Sequence, residues 1–152
     1  MINREEITSK LSILVEKRLD SNKSYWSSEV NFDLGKKENK RIDFVGFKAK
    51  SGYEPISAEL GKFTCYEVKS CMADFESGHG LSFYGDENYL VCTPELAAKL
   101  GSQLRIPHEI NAILCPDKSW SRLYKKYDFG SNVDSYRRRP SLEMLWAIVQ
   151  SH

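Results

Sequence analysis

The 152 residues are enough for one domain, and a hydrophobic share of 41%, including 12% aromatics, supplies material for a core. Lys and Arg (22) almost cancel Asp and Glu (21), leaving a formal charge of +1. A globally basic binder of nucleic acid is therefore excluded, and any hold on phosphate has to come from local patches. No apolar run is long enough to cross a bilayer, and the amphipathic start of the chain has no signal-peptide core. Cys65, Cys71, Cys92 and Cys115 lack the close-pair spacing of a zinc site. Small reduced core cysteines in a cytoplasmic protein are the expectation.

In chain order, residues 3–19 have the spacing of a helix, with Ile7, Leu11, Leu14 and Val15 on one face. Residues 25–34 alternate as a half-buried strand, with Val30, Phe32 and Leu34 on one side. A polar turn follows, then a second strand over 41–47, so the two form an antiparallel hairpin. Residues 48–62, with Gly52, Pro55 and Gly61, read as an extended loop. A third strand covers 63–70, a short helix 71–78, and an apolar strand 88–92. Thr93 and Pro94 are the cap and first residue of the next helix. A buried strand over 110–115, a polar aromatic stretch over 120–127 and a basic linker over 134–140 come next. The final helix starts at Ser141 and is expected to bury Leu142, Leu145, Trp146 and Val149. This order implies an α/β fold, a central mixed sheet of four or five strands flanked by helices on both faces.

The third strand carries an anomaly. Glu67 and Lys69 are two residues apart, so both point to one face, yet their neighbours are Phe63, Cys65, Tyr66 and Val68. Neither charge is cheap to bury, so this face should open onto a site. Asp43 repeats the pattern on the second strand, among Ile42, Phe44 and Val45. Two carboxylates on neighbouring strands can hold a hard divalent ion such as Mg²⁺ or Mn²⁺, with the Val68 carbonyl as a further oxygen ligand. A lysine one pleat away can orient or deprotonate an attacking water, or stabilise developing phosphate charge.

Asp43 followed by Glu67-Val68-Lys69, in an α-β-β-β-α-β order, resembles the PD-(D/E)XK nuclease superfamily over residues 3 to about 92. The usual proline before the first acid is Ile42 here. Tyr66 to Ser70 followed by Ala73-Asp74-Phe75 is similar to small phage-borne and DNA-repair nucleases, as is the run from Gly78-His79-Gly80 to Asn88-Tyr89. The resemblance implies a restriction-endonuclease-like domain spanning residues 1–152, with the basic linker and last helix at 134–152. It implies metal-dependent hydrolysis of DNA, with Asp43, Glu67 and Lys69 catalytic and Asp43, Glu67 and the Val68 carbonyl on the metal. It also implies pairing of two copies in many members. An additional acid from the first helix, present in several branches, is sought among Glu6, Glu16 and, on the first strand, Glu29.

Ser70 and His79 are candidates for contact with DNA, the first also a candidate helix cap. Arg137, Arg138 and Arg139, interleaved with tyrosines, form the densest basic segment and are the expected grip on DNA backbone. Two other classes of function stay open. One is a catalytically inactive DNA-binding or protein-interaction module on the same fold. The other is a phage factor that binds a host protein through an aromatic patch around Phe83, Tyr84 and Tyr89. The glycines at 78, 80 and 85 lack the Lys-Ser/Thr of a phosphate-binding loop, which sets nucleotide binding aside.

Overall fold

A computed structural model describes residues 3–152 and shows an α/β fold built on one six-stranded mixed sheet. The elements are α1 (Arg4–Ser21), β1 (Tyr25–Phe32), β2 (Lys40–Lys48), α2 (Pro55–Glu59), β3 (Lys62–Val68), α3 (Met72–Glu76), β4 (Glu87–Val91), α4 (Pro94–Ser102), β5 (Ala112–Pro116), β6 (Leu123–Asp128) and α5 (Ser141–Ser151). The strands lie in sequence order across the sheet. β1, β2 and β3 are antiparallel, β3, β4 and β5 are parallel, and β5 and β6 are again antiparallel. Among the described residues no helix is long and apolar enough to cross a membrane.

Helices cover both faces. α1 begins where Asn3 accepts the Glu6 amide at 2.9 Å, and it buries Leu11, Leu14, Val15 and Leu19 against Phe44, Tyr66, Val68, Tyr89, Val91 and Leu114. On the other face α5 packs Met144, Ala147 and Ile148 on Val30, Phe32, Ile42, Val45 and Phe63. Beside it, α3 and α4 pack Phe75, Leu96, Ala97 and Leu100 on Leu90, Ile113 and Cys115. Thr93 caps α4 through the Leu96 amide, with Pro94 in the first turn.

Five expectations change. β6 makes a sixth strand out of the polar aromatic stretch; it is an edge strand in which only Leu123 is fully buried, so alternation is weak. The 48–62 segment contains the short helix α2, and Leu34 lies past the end of β1 and is 60% exposed. Phe83 and Tyr89 are buried and Tyr84 is half-buried on Phe32, so the aromatic patch is core and not a docking surface. The fifth correction concerns α5. Leu142, Trp146 and Val149 are 78%, 59% and 63% exposed, and the opposite side of the helix is buried. α5 has one charged residue, Glu143, so its apolar spacing fits either face. Its docking is fixed from outside the helix, by the Ser27 hydroxyl on β1, which donates to the otherwise open Ile148 carbonyl at 2.8 Å.

This orientation is measurable by urea denaturation. Met144→Ala is expected to lower unfolding free energy by about 2–5 kcal/mol, whereas Leu142→Ala stays within about 0.5 kcal/mol of wild type.

Candidate functional site

The β2–β3 ladder ends at the Phe44–Tyr66 pair, so residues 40–43 of β2 have β1 alone as a strand neighbour and the two strands part beyond that point. At the fork the Asp43 carboxylate takes over from a backbone carbonyl: its Oδ2 accepts the Val68 amide at 2.7 Å. Satisfying that amide lets β3 end beside open space without an orphaned donor. The space is a cleft of about 1190 Å³ between α1, the start of β2, the end of β3 and the 78–82 loop. Its floor includes Asp43, Val68 and Lys69.

Glu67 lies under this floor. It has 0% exposure, and neither carboxyl oxygen has a hydrogen-bond partner among the described residues. Burial pushes its pKa well above the ordinary 4.5, and the nearby Asp43 carboxyl pushes it in the same direction, while Lys69 and the Ser82 backbone, close enough to interact but outside good hydrogen-bond geometry, oppose. Asp43 is raised as well, by burial first, with the Val68 amide, Glu67, Lys69 and Arg41 pulling it back. The two carboxyls therefore act on each other directly, in the manner of acids sharing a site.

Lys69 follows the end of β3, where its own amide donates to the Val91 carbonyl and holds the chain beside β4. Its ammonium is 4% exposed and is held by the His79 carbonyl, by the Asp74 carbonyl at 3.4 Å, and by Asp74 Oδ1 at 3.8 Å. Asp74 is the anchor of this end of the site. Its carboxylate also accepts the Ser70 amide at 2.9 Å and the Ser70 hydroxyl at 3.1 Å, and pairs with Arg4 of α1 at 3.0 Å. Burial works to raise the Asp74 pKa, but these donors and Lys69 outweigh it and leave it lowered. Gly80 closes over the pair. At φ +70° it adopts the left-handed conformation, and a Cβ there would meet Glu67 Oε2 at 3.0 Å and Lys69 Nζ at 3.7 Å.

Asp43, Glu67, Val68 and Lys69 thus converge at one fork of the sheet. Of the further acids, Glu16 and Glu29 line the cleft. Glu29 is exposed and has φ +51°, a left-handed residue on β1 opposite Asp43. Glu6 is exposed on α1 and does not line the cleft; Glu5 takes that place. His79 lines the cleft as an exposed loop residue, and its contribution to Lys69 is its backbone carbonyl. Ser70 is 3% exposed with its hydroxyl on Asp74, so it is turned inward and away from any bound strand.

The basic segment is a correction. Arg137 stacks on Phe63 and pairs with Asp86 and Ser141; Arg138 lies on the Tyr136 ring with both terminal nitrogens on backbone carbonyls; Arg139 forks onto Asp33 at 2.8 and 3.2 Å and reaches Glu143. None of the three lines the cleft. These bonds join residues up to 106 positions apart, which no local pattern reveals. The cleft-lining cations that sequence spacing missed are Arg4, Lys40 and Arg41. Gly80 was legible only as a helix stop.

Two carboxylates, one of them buried without a partner, form an oxygen donor set suited to a hard divalent ion. Among the described residues no group of three or more His, Cys, Asp or Glu side chains converges as a metal cluster, so further ligands would be backbone or water oxygens. The sequence matches no known family profile and no curated protein. A solved protein of unknown function from Silicibacter pomeroyi is similar in fold, with a TM-score of 0.58 and 17% identity over 95% of this chain and 82% of that one.

The raised Glu67 pKa has a sign in stability. The folded chain keeps a proton that the unfolded chain releases above pH 4.5. The contribution is fully present below that value and is lost as pH rises toward the folded pKa. In metal-free protein Glu67→Gln is expected to flatten this loss and to exceed wild-type stability at neutral pH by about 1–3 kcal/mol, read from urea unfolding at a series of pH values.

Proposed function

We propose that this protein is a metal-dependent nuclease that hydrolyses phosphodiester bonds in DNA, on a sheet of restriction-endonuclease type. The observation that carries the reading is the buried, unpartnered Glu67 carboxyl beside Asp43, with Lys69 one pleat away. A protein does not keep such a group for stability, because two carboxyls in a dry setting destabilise the chain until a cation joins them.

Asp43, Glu67 and the Val68 carbonyl would hold Mg²⁺ or Mn²⁺. Such an ion supplies Lewis acidity toward a phosphate oxygen and a more acidic bound water. Asp43 keeps its orientation through the Val68 amide, so its second oxygen is free for a ligand. Lys69 stands at the same end with its ammonium fixed by the His79 and Asp74 carbonyls, which places a positive charge where a phosphate would enter. Gly80 lets the 78–82 loop lie against both side chains and limits water at the floor.

A second reading is a non-catalytic DNA-binding module. It is favoured by the engagement of the Lys69 ammonium with protein oxygens, which suits a structural role as well. Cleavage of linear and circular DNA with Mg²⁺ or Mn²⁺ separates the two. The nuclease reading expects metal-dependent products, lost by at least about 100-fold in Glu67→Gln and Lys69→Ala, with circular dichroism unchanged. Wild-type protein that binds DNA without cutting it supports the binding module.

A further inference from the structure

The cleft is lined by acids (Glu5, Glu16, Glu29, Asp43 and Asp74) and by cations (Arg4, Lys40, Arg41 and Lys69), and a cluster of cations stands at the end where β2 begins. The turn between β1 and β2 and the first two residues of β2 carry Lys36, Lys37, Lys40 and Arg41 within six residues, all exposed. Lys36, Lys37 and Lys40 form no ion pair among the described residues; Arg41 meets Glu29 at 4.0 Å with both side chains more than half exposed, a contact worth little. Asn39, Lys40 and Arg41 line the cleft directly, and Arg4 stands on the facing rim at the start of α1. Arg4 is paired with Asp74, yet 56% of its side chain remains exposed.

The lining also lacks an exposed Phe, Tyr or Trp ring. Phe44 is 4% exposed and belongs to the core, and His79 is the one exposed ring on the wall, too few to stack successive bases. The exposed aromatics Tyr25, Tyr53, Tyr124, Phe129, Tyr136 and Trp146 are all outside the cleft. Single-strand binders place rings under successive bases, whereas a duplex keeps its bases stacked and offers phosphates. Ser9, Ser12 and Ser28 add hydroxyls to the wall, a further match to backbone oxygens.

We propose that the β1–β2 turn and the start of β2, through Lys36, Lys37, Lys40 and Arg41, together with Arg4 opposite, grip the phosphate backbone of a nucleic-acid duplex and lay it across the cleft. The proposal rests on the nuclease reading and names its substrate class and grip. It reassigns the grip from Arg137–Arg139, of which Arg137 and Arg139 are paired with Asp86 and Asp33 and Arg138 is held by the Tyr136 ring and backbone carbonyls, all away from the cleft.

The test is fluorescence anisotropy in EDTA, with the full chain, a labelled DNA duplex and a matched single strand, between about 50 and 200 mM salt. Wild type is expected to bind the duplex more tightly than the single strand. The combined Lys36→Ala, Lys37→Ala, Lys40→Ala and Arg41→Ala variant is expected to lose at least about tenfold in duplex affinity and about three units of log–log salt slope. Arg138→Ala is expected to bind as wild type does. Should the combined variant melt early, Lys37→Glu and Lys40→Glu are measured singly, each expected to weaken duplex binding several-fold. Duplex binding that survives the turn substitutions overturns the proposal and leaves the nuclease reading standing. Tighter binding of the single strand overturns the duplex assignment. Wild-type protein that binds neither overturns the proposal, and the nuclease reading is decided by the cleavage assay.

Discussion

The site depends on one unfavourable placement, the Glu67 carboxyl enclosed at the end of β3 with no well-formed hydrogen bond among the described residues and with the Asp43 carboxyl and the Ser82 backbone as its polar neighbours. Everything around it is arranged to make that tolerable without making it comfortable. Asp43 satisfies the next amide so that the strands can part. Gly80 permits a loop to approach where a side chain would collide with Glu67. Asp74 gathers Lys69, Ser70 and Arg4, fixing the far end of the floor to α1. A core designed for stability would replace the acid with an apolar residue of similar size. A core that awaits a cation would look like this one.

Charge is sorted by role across the molecule. Asp43 and Lys69 share the floor, Lys36, Lys37 and Lys40 stand without ion pairs among the described residues at one end of the cleft, and the densest run of arginine serves architecture. Arg139 ties the segment before α5 to Asp33 just past β1, while Arg137 ties it to Asp86 ahead of β4. These ties hold α5 over the sheet edge formed by β1. A formal charge of +1 is thus compatible with a local phosphate-binding surface, because most of the arginine near the C-terminus is already neutralised.

The acids and lysine of the site were legible in the sequence because alternation puts residues two apart on one face, and the chain stays extended beside β4 past the end of β3, through the Lys69 amide on Val91. Asp43 was legible because an acid among Ile42, Phe44 and Val45 has few structural uses. α1, the hairpin and the crossovers followed from periodicity and capping, and the mixed sheet with helices on both faces follows from them. What escaped was set by tertiary contacts. α5 is apolar nearly all round, so its spacing did not say which side docks. β6 has a single deeply buried residue and no clear alternation. Glu16, on the polar side of α1, reaches the cleft because the cleft runs along that helix. The partners of Arg137–Arg139 lie far away in sequence, and composition alone made the segment look free.

The central claim is that Asp43 and Glu67 together form a divalent-cation site. Binding of Mn²⁺ followed by electron paramagnetic resonance measures it without any assumption about substrate. The account predicts saturable binding to wild type, competed by Mg²⁺ and lost in Glu67→Gln, a variant that keeps the fold. Equal Mn²⁺ binding by wild type and Glu67→Gln, or none by either, contradicts it.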